Sequence, residues 1–211
     1  MLIIVITTCL TDTQSAVRTA QYARCIGRIL ELAPAGAGAG AGANSKIVIV
    51  EGNGPRPTSL DAFAERAQIV YTHNNQLGLK NKGHPELLDV FAALDAARAA
   101  PEDFVIKVTG RYYIEDASRM FAALLQCDAA GVSSCVKFGS FLAPKDSVVC
   151  DCVTGLIGMR AALIKGIPTP RENECVEWLW ASRALSAPGI GAWQGPMGLS
   201  LCPGGDDYFS I

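Results

Sequence analysis

The chain has 211 residues, of which half are hydrophobic and 18% are charged, and its formal net charge is −2 at pH 7. This length fits one large domain with a sizeable core. A nearly neutral chain has no general attraction to nucleic acid or to an anionic membrane, so phosphate groups would have to be bound by locally placed side chains.

The N-terminal segment 1–10 is apolar but has no basic leader and no small-residue cleavage site. It is also too short to span a bilayer, which requires about 20 residues. We therefore predict a first strand here, no membrane span and a cytoplasmic protein. The eight cysteines are scattered, which in an intracellular protein favours free thiols over disulfides.

Short β-branched runs alternate with helical spacing along the first half of the chain, and strands predominate in the second half. This order predicts an α/β fold with a central mixed, mostly parallel sheet flanked by helices, in one domain spanning 1–211. Residues 33–44, made mainly of Pro, Ala and Gly, are predicted to form a flexible surface loop. The predicted strands are 2–8, 46–50, 68–72, 103–109, 131–138 and 148–153. The predicted helices are 14–32, 59–66, 85–99, 116–125, 161–165 and 172–185, with a turn at 154–160 and a surface tail at 187–211.

The strand 103–109 ends at Thr109-Gly110-Arg111. Ligands of open α/β sheets bind at the carboxyl ends of the strands. An arginine at this point suits phosphate, because its planar fork can bond two oxygens at once. The alternative, a strand followed by a solvated turn, is equally compatible with the composition.

Other polar side chains also follow predicted strands, which would place them in a row along one edge of the sheet. Such a row would suit a ligand with a base, a ribose and a diphosphate. The dinucleotide-binding, Walker A, zincin and nucleophile-elbow motifs are all absent from the sequence. The residues of this row are Thr7, Thr8, Glu51, Arg56, Asn74, Asn75, Lys80, Lys82, Thr109, Arg111 and Asp151.

Four stretches together resemble a known family: hydroxyl residues after the first strand, Asn81-Lys-Gly83 before a helix, Lys107-Val-Thr-Gly-Arg-Tyr112, and the glycine-containing stretch 154–160. They resemble small GT-A glycosyltransferases. More closely, they resemble the N-terminal glycosyltransferase domain of the chlorovirus proteins that help build capsid glycans in large algal viruses. The resemblance covers nearly the whole chain except 33–44.

The resemblance implies transfer of a hexose or deoxyhexose from a UDP-sugar to a growing glycan. In the viral group this implies a rhamnose donor, a capsid glycoprotein target and the host cytoplasm. The chain would then act alone or as part of a longer multidomain polypeptide, with a nucleotide sugar and a glycan acceptor as partners. The donor-binding residues implied by position are Thr7, Thr8, Tyr22, Glu51, Arg56, Asn75, Lys80, Gly83 and Thr109.

The sequence departs from the family at the end of strand 103–109. Most GT-A enzymes have Asp-x-Asp there, and its two carboxylates hold Mn²⁺ or Mg²⁺ against the diphosphate. This chain has Lys107-Val-Thr109-Gly-Arg111 instead. Either Arg111 and the lysines neutralise the diphosphate, or other groups such as Asp151, Asp206 or Asp207 hold a metal.

An inverting glycosyltransferase needs a carboxylate base within about 3 Å of the acceptor hydroxyl. Asp151, Glu174 and Glu177 are the candidates, and the two glutamates can share one face of the last predicted helix. The alternative for each glutamate is a solvated helix residue. A retaining enzyme needs no such base, and the sequence leaves the stereochemistry open.

Two other functions remain open at this stage. A sugar nucleotidyltransferase shares the sheet architecture, but it would normally have a glycine- and arginine-rich loop after the first strand, which residues 7–14 lack. A non-catalytic nucleotide-sugar-binding module is also compatible, because the Asp-x-Asp motif is missing.

Overall fold

A computed structural model describes residues 1–11, 16–38, 45–81, 83–116, 118–139, 151–172, 174–201 and 209–210. The strands are β1 (Leu2–Thr8), β2 (Ala37–Gly38), β3 (Ser45–Glu51), β4 (Gln68–Tyr71), β5 (Phe104–Thr109), β6 (Tyr112–Ile114), β7 (Ser134–Val136), β8 (Leu156–Arg160), β9 (Ile190–Ala192), β10 (Leu199–Leu201) and β11 (Phe209–Ser210). The α-helices are α1 (Ala16–Leu32), α2 (Gly83–Ala96), α3 (Arg119–Cys127), α4 (Ala161–Lys165) and α5 (Val176–Leu185), and short 3₁₀ helices cover Ser59–Phe63 and Asn74–Gln76.

The main sheet of the described chain has the order β2-β3-β1-β5-β8-β7-β9, with β4 also paired to β3. Its strands pair in parallel except at β8, which is antiparallel to both β5 and β7. A small second sheet joins β6, β10 and β11. The predicted α/β fold with a mixed, mostly parallel sheet flanked by helices is confirmed.

Strand β1 lies at the centre and is buried along its whole length. Its side chains alternate between two cores, as the pleat of a strand requires. Ile4 and Ile6 face the core that contains α1 and α3, whereas Ile3 and Val5 face the core formed by α2, α4 and α5. This explains why β1 is apolar from Leu2 to Ile6 rather than alternating between apolar and polar residues.

The register of the parallel strands brings several polar residues to one edge. Thr7 of β1 lies opposite Thr109 of β5, and Thr8 lies opposite Glu51 of β3. The carboxyl ends of the three strands therefore finish side by side. This edge carries the candidate site.

The prediction of a turn at 154–160 is wrong, because Leu156–Arg160 forms β8 in the middle of the sheet. Glycines at 155 and 158 hid the strand pattern, since glycine is normally unfavourable in strands. The predicted surface tail also contributes strands, and Ile190–Ala192 extends the main sheet beside β7. Of the strand predicted at 148–153, only 151–153 lie in the described part, and Cys152 there makes an isolated bridge to Phe138.

Smaller differences concern loops and caps. Within the predicted loop 33–44, Ala37–Gly38 pairs with β3, and residues 39–44 lie outside the described chain. Thr58 caps the short helix that follows β3. The six described cysteines are free thiols. No helix in the described ranges is long and apolar enough to cross a membrane.

Gly158 provides a test of the sheet packing. A Cβ at this position would lie 2.7 Å from Cζ of Phe104 and would also meet Leu124. We expect Gly158→Ala to lower the free energy of unfolding by about 2 kcal/mol, because side chains in a filled core must shift. The measurement is urea unfolding. Gly27→Ala in α1 is the control, since its Cβ would meet nothing within 4 Å; equal stability of the two variants would contradict the described packing.

Candidate functional site

A cleft of about 760 Å³ opens at the carboxyl edge of β1 and β5. Its walls come from the starts of α1, α2 and α5 and from the segment that leads into β8. Nine of the residues predicted for the site line this cleft: Thr7, Thr8, Tyr22, Asn75, Gly83, Thr109, Arg111, Asp151 and Glu177. The structure thus brings together residues from seven separate parts of the sequence.

Glu51 and Arg56 do not line the cleft. Glu51 is completely buried, and its carboxylate accepts hydrogen bonds from the hydroxyl of Thr8 at 2.8 Å and from the backbone N–H of Leu10 at 2.9 Å. Arg56 donates to the backbone carbonyl of Leu10 and lies 3.6 Å from Glu51. In this structure both residues fasten the loop after β1 to the end of β3.

Lys80 and Glu174 also lie outside the cleft. Lys80 is 77% exposed and forms an ion pair with Glu172 at 2.5 Å. Glu174 precedes α5 instead of lying on it, and it borders a separate shallow groove with Trp178 and Leu179. It therefore does not share a helix face with Glu177 in the way that the predicted helix 172–185 implied.

Arg111 is positioned by a close approach between the end of β5 and β1. The backbone N–H of Gly110 donates to the carbonyl of Thr7 at 2.8 Å, and a Cβ at Gly110 would lie 3.1 Å from that oxygen. Arg111 follows directly and projects its half-buried side chain into the cleft. It makes no hydrogen bond or ion pair with another described residue, so its guanidinium is available to an anionic ligand.

Tyr22 forms part of the same wall. Its hydroxyl accepts a hydrogen bond from the backbone N–H of Cys9 at 3.2 Å, which holds the turn after β1. Burial raises the pKa of Tyr22 to about 12, although the positive charge of Arg111 acts in the opposite direction. Tyr22 is therefore a neutral phenol at physiological pH, close to the guanidinium.

Glu86, in the first turn of α2, also lines the cleft, and one of its oxygens has three donors. Its Oε1 accepts from the hydroxyls of Thr7 at 2.6 Å and Thr109 at 2.8 Å and lies 2.7 Å from Nζ of Lys107. Lys107 is 1% exposed and also donates to Thr109 and, at 2.7 Å, to the carbonyl of Thr154. The ion pair therefore ties α2, β1, β5 and the start of β8 together.

The charge of Glu86 is balanced inside the protein. Burial acts to raise the pKa of Glu86, but the charge of Lys107 and the three hydrogen bonds outweigh it and hold that pKa below its usual value. Glu86 is thus ionised at neutral pH. The sequence did not place Glu86 or Lys107 among the site residues, although a lysine in an otherwise apolar buried strand is a signal for a buried partner.

Asp89 lies one turn further along α2, on the same face as Glu86. It borders the cleft while being only 2% exposed, and its Oδ1 accepts hydrogen bonds from Thr72 and from Nδ2 of Asn74. Burial raises the pKa of Asp89 to about 6, despite these two donors. Asp89 and Arg18, which also lines the cleft, were missed by the sequence reasoning because each appeared to be an ordinary helix residue.

The pKa of Asp89 predicts how stability depends on pH. Because this pKa rises from 3.8 to about 6 on folding, the folded state binds more protons between these values, and stability falls as the pH rises through that window. Asp89→Asn should therefore raise the free energy of unfolding by about 3 kcal/mol near pH 7.5 and change it little near pH 4. Urea unfolding at both pH values is the measurement.

Asp95→Asn is the matched control for this prediction. Asp95 lies on the same helix, but it is 74% exposed and pairs with Lys165 at the surface. We expect a change below about 1 kcal/mol at either pH, as for most exposed ion pairs. A gain from Asp89→Asn that is the same at both pH values would contradict the assignment.

The cleft does not offer a metal site within the described residues. No group of three or more His, Cys, Asp or Glu side chains there is arranged to hold a metal ion. Asp151 accepts from the backbone N–H of Cys152 at 2.8 Å, and Glu177 accepts from the thiol of Cys175 at 3.0 Å. Asp206 and Asp207, the other predicted ligands, lie outside the described chain.

No protein-family model matches the chain, and no curated protein sequence matches it either. Solved structures do match. One is S. aureus TarS, a GT-A glycosyltransferase. It matches 94% of this chain with 15% sequence identity and a TM-score of 0.54. The mannosyltransferase PcManGT from Pyrobaculum calidifontis, in complex with GDP-Man and Mn²⁺, is 14% identical over 90% of the chain with a TM-score of 0.52.

A third match is the inositol-1-phosphate CTP transferase of T. maritima, 8% identical over 90% of the chain with a TM-score of 0.50. The chain spans 36% of the length of TarS and 54% of that of PcManGT. At these identities the matches show the fold alone. The chain has the GT-A glycosyltransferase fold, as the sequence predicted, whereas the likeness to chlorovirus proteins remains a prediction.

Proposed function

We propose that the chain is a glycosyltransferase that binds a UDP-sugar in this cleft. The observation that carries the proposal is the guanidinium of Arg111, which stands in the cleft at the carboxyl edge of a GT-A sheet and has no partner among the described residues. A diphosphate is the part of such a donor that an arginine fork binds well. The cleft volume of about 760 Å³ lies in the usual range for small-ligand sites.

The remaining lining residues suit the other parts of a nucleotide sugar. Thr8, Tyr22 and Asn75 would flank the nucleoside, and Thr7, Gly83 and Thr109 would border the diphosphate and sugar. The neighbour that holds GDP-Man and Mn²⁺ supports a nucleotide-sugar donor in this fold. The choice of UDP, and of a hexose or deoxyhexose such as rhamnose, rests on the resemblance to the viral family.

Two carboxylates in the cleft are candidates for the base that takes the proton of the acceptor hydroxyl. Asp151 and Glu177 both line the cleft, and each is held by one hydrogen bond from a neighbouring cysteine residue. In an inverting reaction either one would accept the proton of the acceptor hydroxyl. A growing glycan, including that of a viral capsid glycoprotein, is the proposed acceptor, and the chain would work alone or within a longer polypeptide.

A thermal-shift panel of nucleotides and nucleotide sugars tests the proposal. A ligand that binds only the folded state raises the apparent stability by mass action. We expect UDP and UDP-sugars to raise the melting temperature and uridine, which lacks the diphosphate, to leave it unchanged. No shift with any nucleotide would contradict the proposal, and a shift restricted to nucleoside triphosphates would favour a nucleotidyltransferase instead.

A further inference from the structure

We propose that Arg18 and Arg111 neutralise the donor diphosphate and that no divalent cation takes part. This inference rests on the proposed function and concerns the chemistry of the same cleft. It departs from the Mn²⁺-bound neighbour of the same fold. Four observations lead to it: the residues at the end of β5, the state of Glu86, the placement of the remaining carboxylates and the two cleft arginines.

The end of β5 is chemically unsuited to a divalent cation. Lys107 and Thr109 lie on one face of the strand, because side chains alternate along it. Both bind Glu86: the ammonium of Lys107 lies 2.7 Å from Oε1, and the hydroxyl of Thr109 donates to the same atom at 2.8 Å. A buried ammonium at this point repels a cation, where a carboxylate would attract it.

In the described chain, Glu86 is the only carboxylate directly beside this strand end. It has few oxygen ligands left for a metal ion. Its Oε1 already has three donors, which leaves Oε2 as the one oxygen without a hydrogen bond from a described residue. Mn²⁺ and Mg²⁺ require several oxygen ligands in a defined arrangement. One oxygen whose charge is already balanced by Lys107 does not provide that arrangement.

The other carboxylates of the cleft do not complete a site. Asp89, Asp151 and Glu177 line it, but with Glu86 they form no cluster of three or more that could hold a metal, and the same is true of every described His, Cys, Asp and Glu. The positive charge that a donor diphosphate would meet in this cleft therefore comes from side chains.

Two arginines supply that charge from neighbouring elements. Arg18 lies in the first turn of α1, and Arg111 follows β5; both line the cleft, as does Tyr22. The positive charge of Arg111 acts on both Tyr22 and Cys9, which places its guanidinium at the end of β1. Together the two guanidiniums carry two positive charges, which balance the two charges of a donor diphosphate, and the planar fork of arginine suits phosphate oxygens.

The arginines would also act in the chemical step. The bond between C1 of the sugar and the diphosphate oxygen breaks, and its electron pair leaves with UDP, which gains one negative charge. The acceptor oxygen forms the new bond to C1, and its proton passes to a carboxylate in an inverting reaction or to the departing phosphate in a retaining one. Fixed positive charge at the diphosphate stabilises this developing charge, as a metal does in other enzymes.

Isothermal titration of UDP into the protein tests the inference, in buffer with EDTA and in buffer with Mn²⁺. We expect the two dissociation constants to agree within about threefold, and Arg18→Ala to weaken binding by about tenfold in both buffers. Arg18→Lys, which keeps the charge but lacks the fork, should lie between. Arg119→Ala, an exposed residue of α3 outside the cleft, is the control and should match the parent.

The outcomes separate the inference from the proposed function. UDP binding that appears only with Mn²⁺ would overturn the inference and leave the glycosyltransferase proposal standing. If Arg18→Ala is folded by circular dichroism and still binds UDP as tightly as the parent, Arg18 does not bind the diphosphate, and the inference is overturned. Absence of UDP binding in both buffers would overturn the proposed function and the inference together.

Discussion

Arg111→Ala is expected to weaken UDP binding by about 100-fold and to leave the fold intact. Two charge-assisted hydrogen bonds to phosphate oxygens contribute about 3 kcal/mol together, which corresponds to two factors of ten in affinity. Since Arg111 bonds to no other described residue, the free energy of unfolding should change by less than about 0.5 kcal/mol. Isothermal titration with UDP and urea unfolding of the same preparation measure both quantities.

Arg111→Lys refines this prediction. Lysine keeps the positive charge but cannot bond two oxygens in one plane, so its affinity for UDP should lie between those of the parent and Arg111→Ala. If Arg111→Ala binds UDP as tightly as the parent, the guanidinium has no part in the site. A large loss of stability would instead show that Arg111 holds the fold.

Lys107→Met is expected to have the second large effect, this time on stability. The side chain is 1% exposed and is the only cation paired with Glu86 in the described chain. Its loss leaves a half-buried carboxylate with only two threonine hydroxyls, and removing the buried partner of such a pair costs about 3 kcal/mol. Urea unfolding at neutral pH measures the loss, and the double variant Glu86→Gln/Lys107→Met should recover most of it.

The pH dependence identifies the cause of this loss. In the parent, the pKa of Glu86 is below its usual value of 4.5, so its ion pair stabilises the fold above that pH and loses its effect as the pH falls through the folded-state pKa. The difference between the parent and Lys107→Met should therefore be largest near pH 7 and shrink below about pH 4. A difference that does not depend on pH would point to lost packing instead.

The strand ends could be predicted from the sequence because the information is local. A β-branched run that stops at Thr109-Gly110-Arg111 predicts both the buried strand and the direction in which its polar end points. The same reasoning located Thr7 and Thr8. Parallel pairing of β1 with β5 then brings these ends together whatever the details of the connections, and Thr7, Thr8, Thr109 and Arg111 all line the cleft.

The pairings across the fold could not be predicted in this way. Glu86 appeared to be an ordinary acidic residue in a first helical turn, and only the packing of α2 on the sheet shows that it bonds to Lys107. Glu51 was predicted to face the ligand, yet its Oε2 accepts hydrogen bonds from the backbone N–H of Leu10 and the hydroxyl of Thr8. Such competition between a ligand and the protein's own donors is decided by loop geometry, which the sequence does not encode locally.

Strand β8 illustrates a different limit. Gly155 and Gly158 suggest a turn, but Gly158 lies within the strand. Glycine is required there because the ring of Phe104 and the side chain of Leu124 occupy the space that a Cβ would fill. The choice of residue here depends on a tertiary neighbour. Tertiary context of this kind regularly overrides β propensity.

The release of UDP from a panel of UDP-hexoses and UDP-deoxyhexoses, with simple sugars as acceptors, tests the central claim most directly. The proposed function predicts that at least one donor is turned over and that Arg111→Ala slows this turnover strongly, while Arg119→Ala does not. If UDP-sugars bind the cleft but stay intact with every acceptor, the chain is a nucleotide-sugar-binding module and the claim that it is a glycosyltransferase is contradicted.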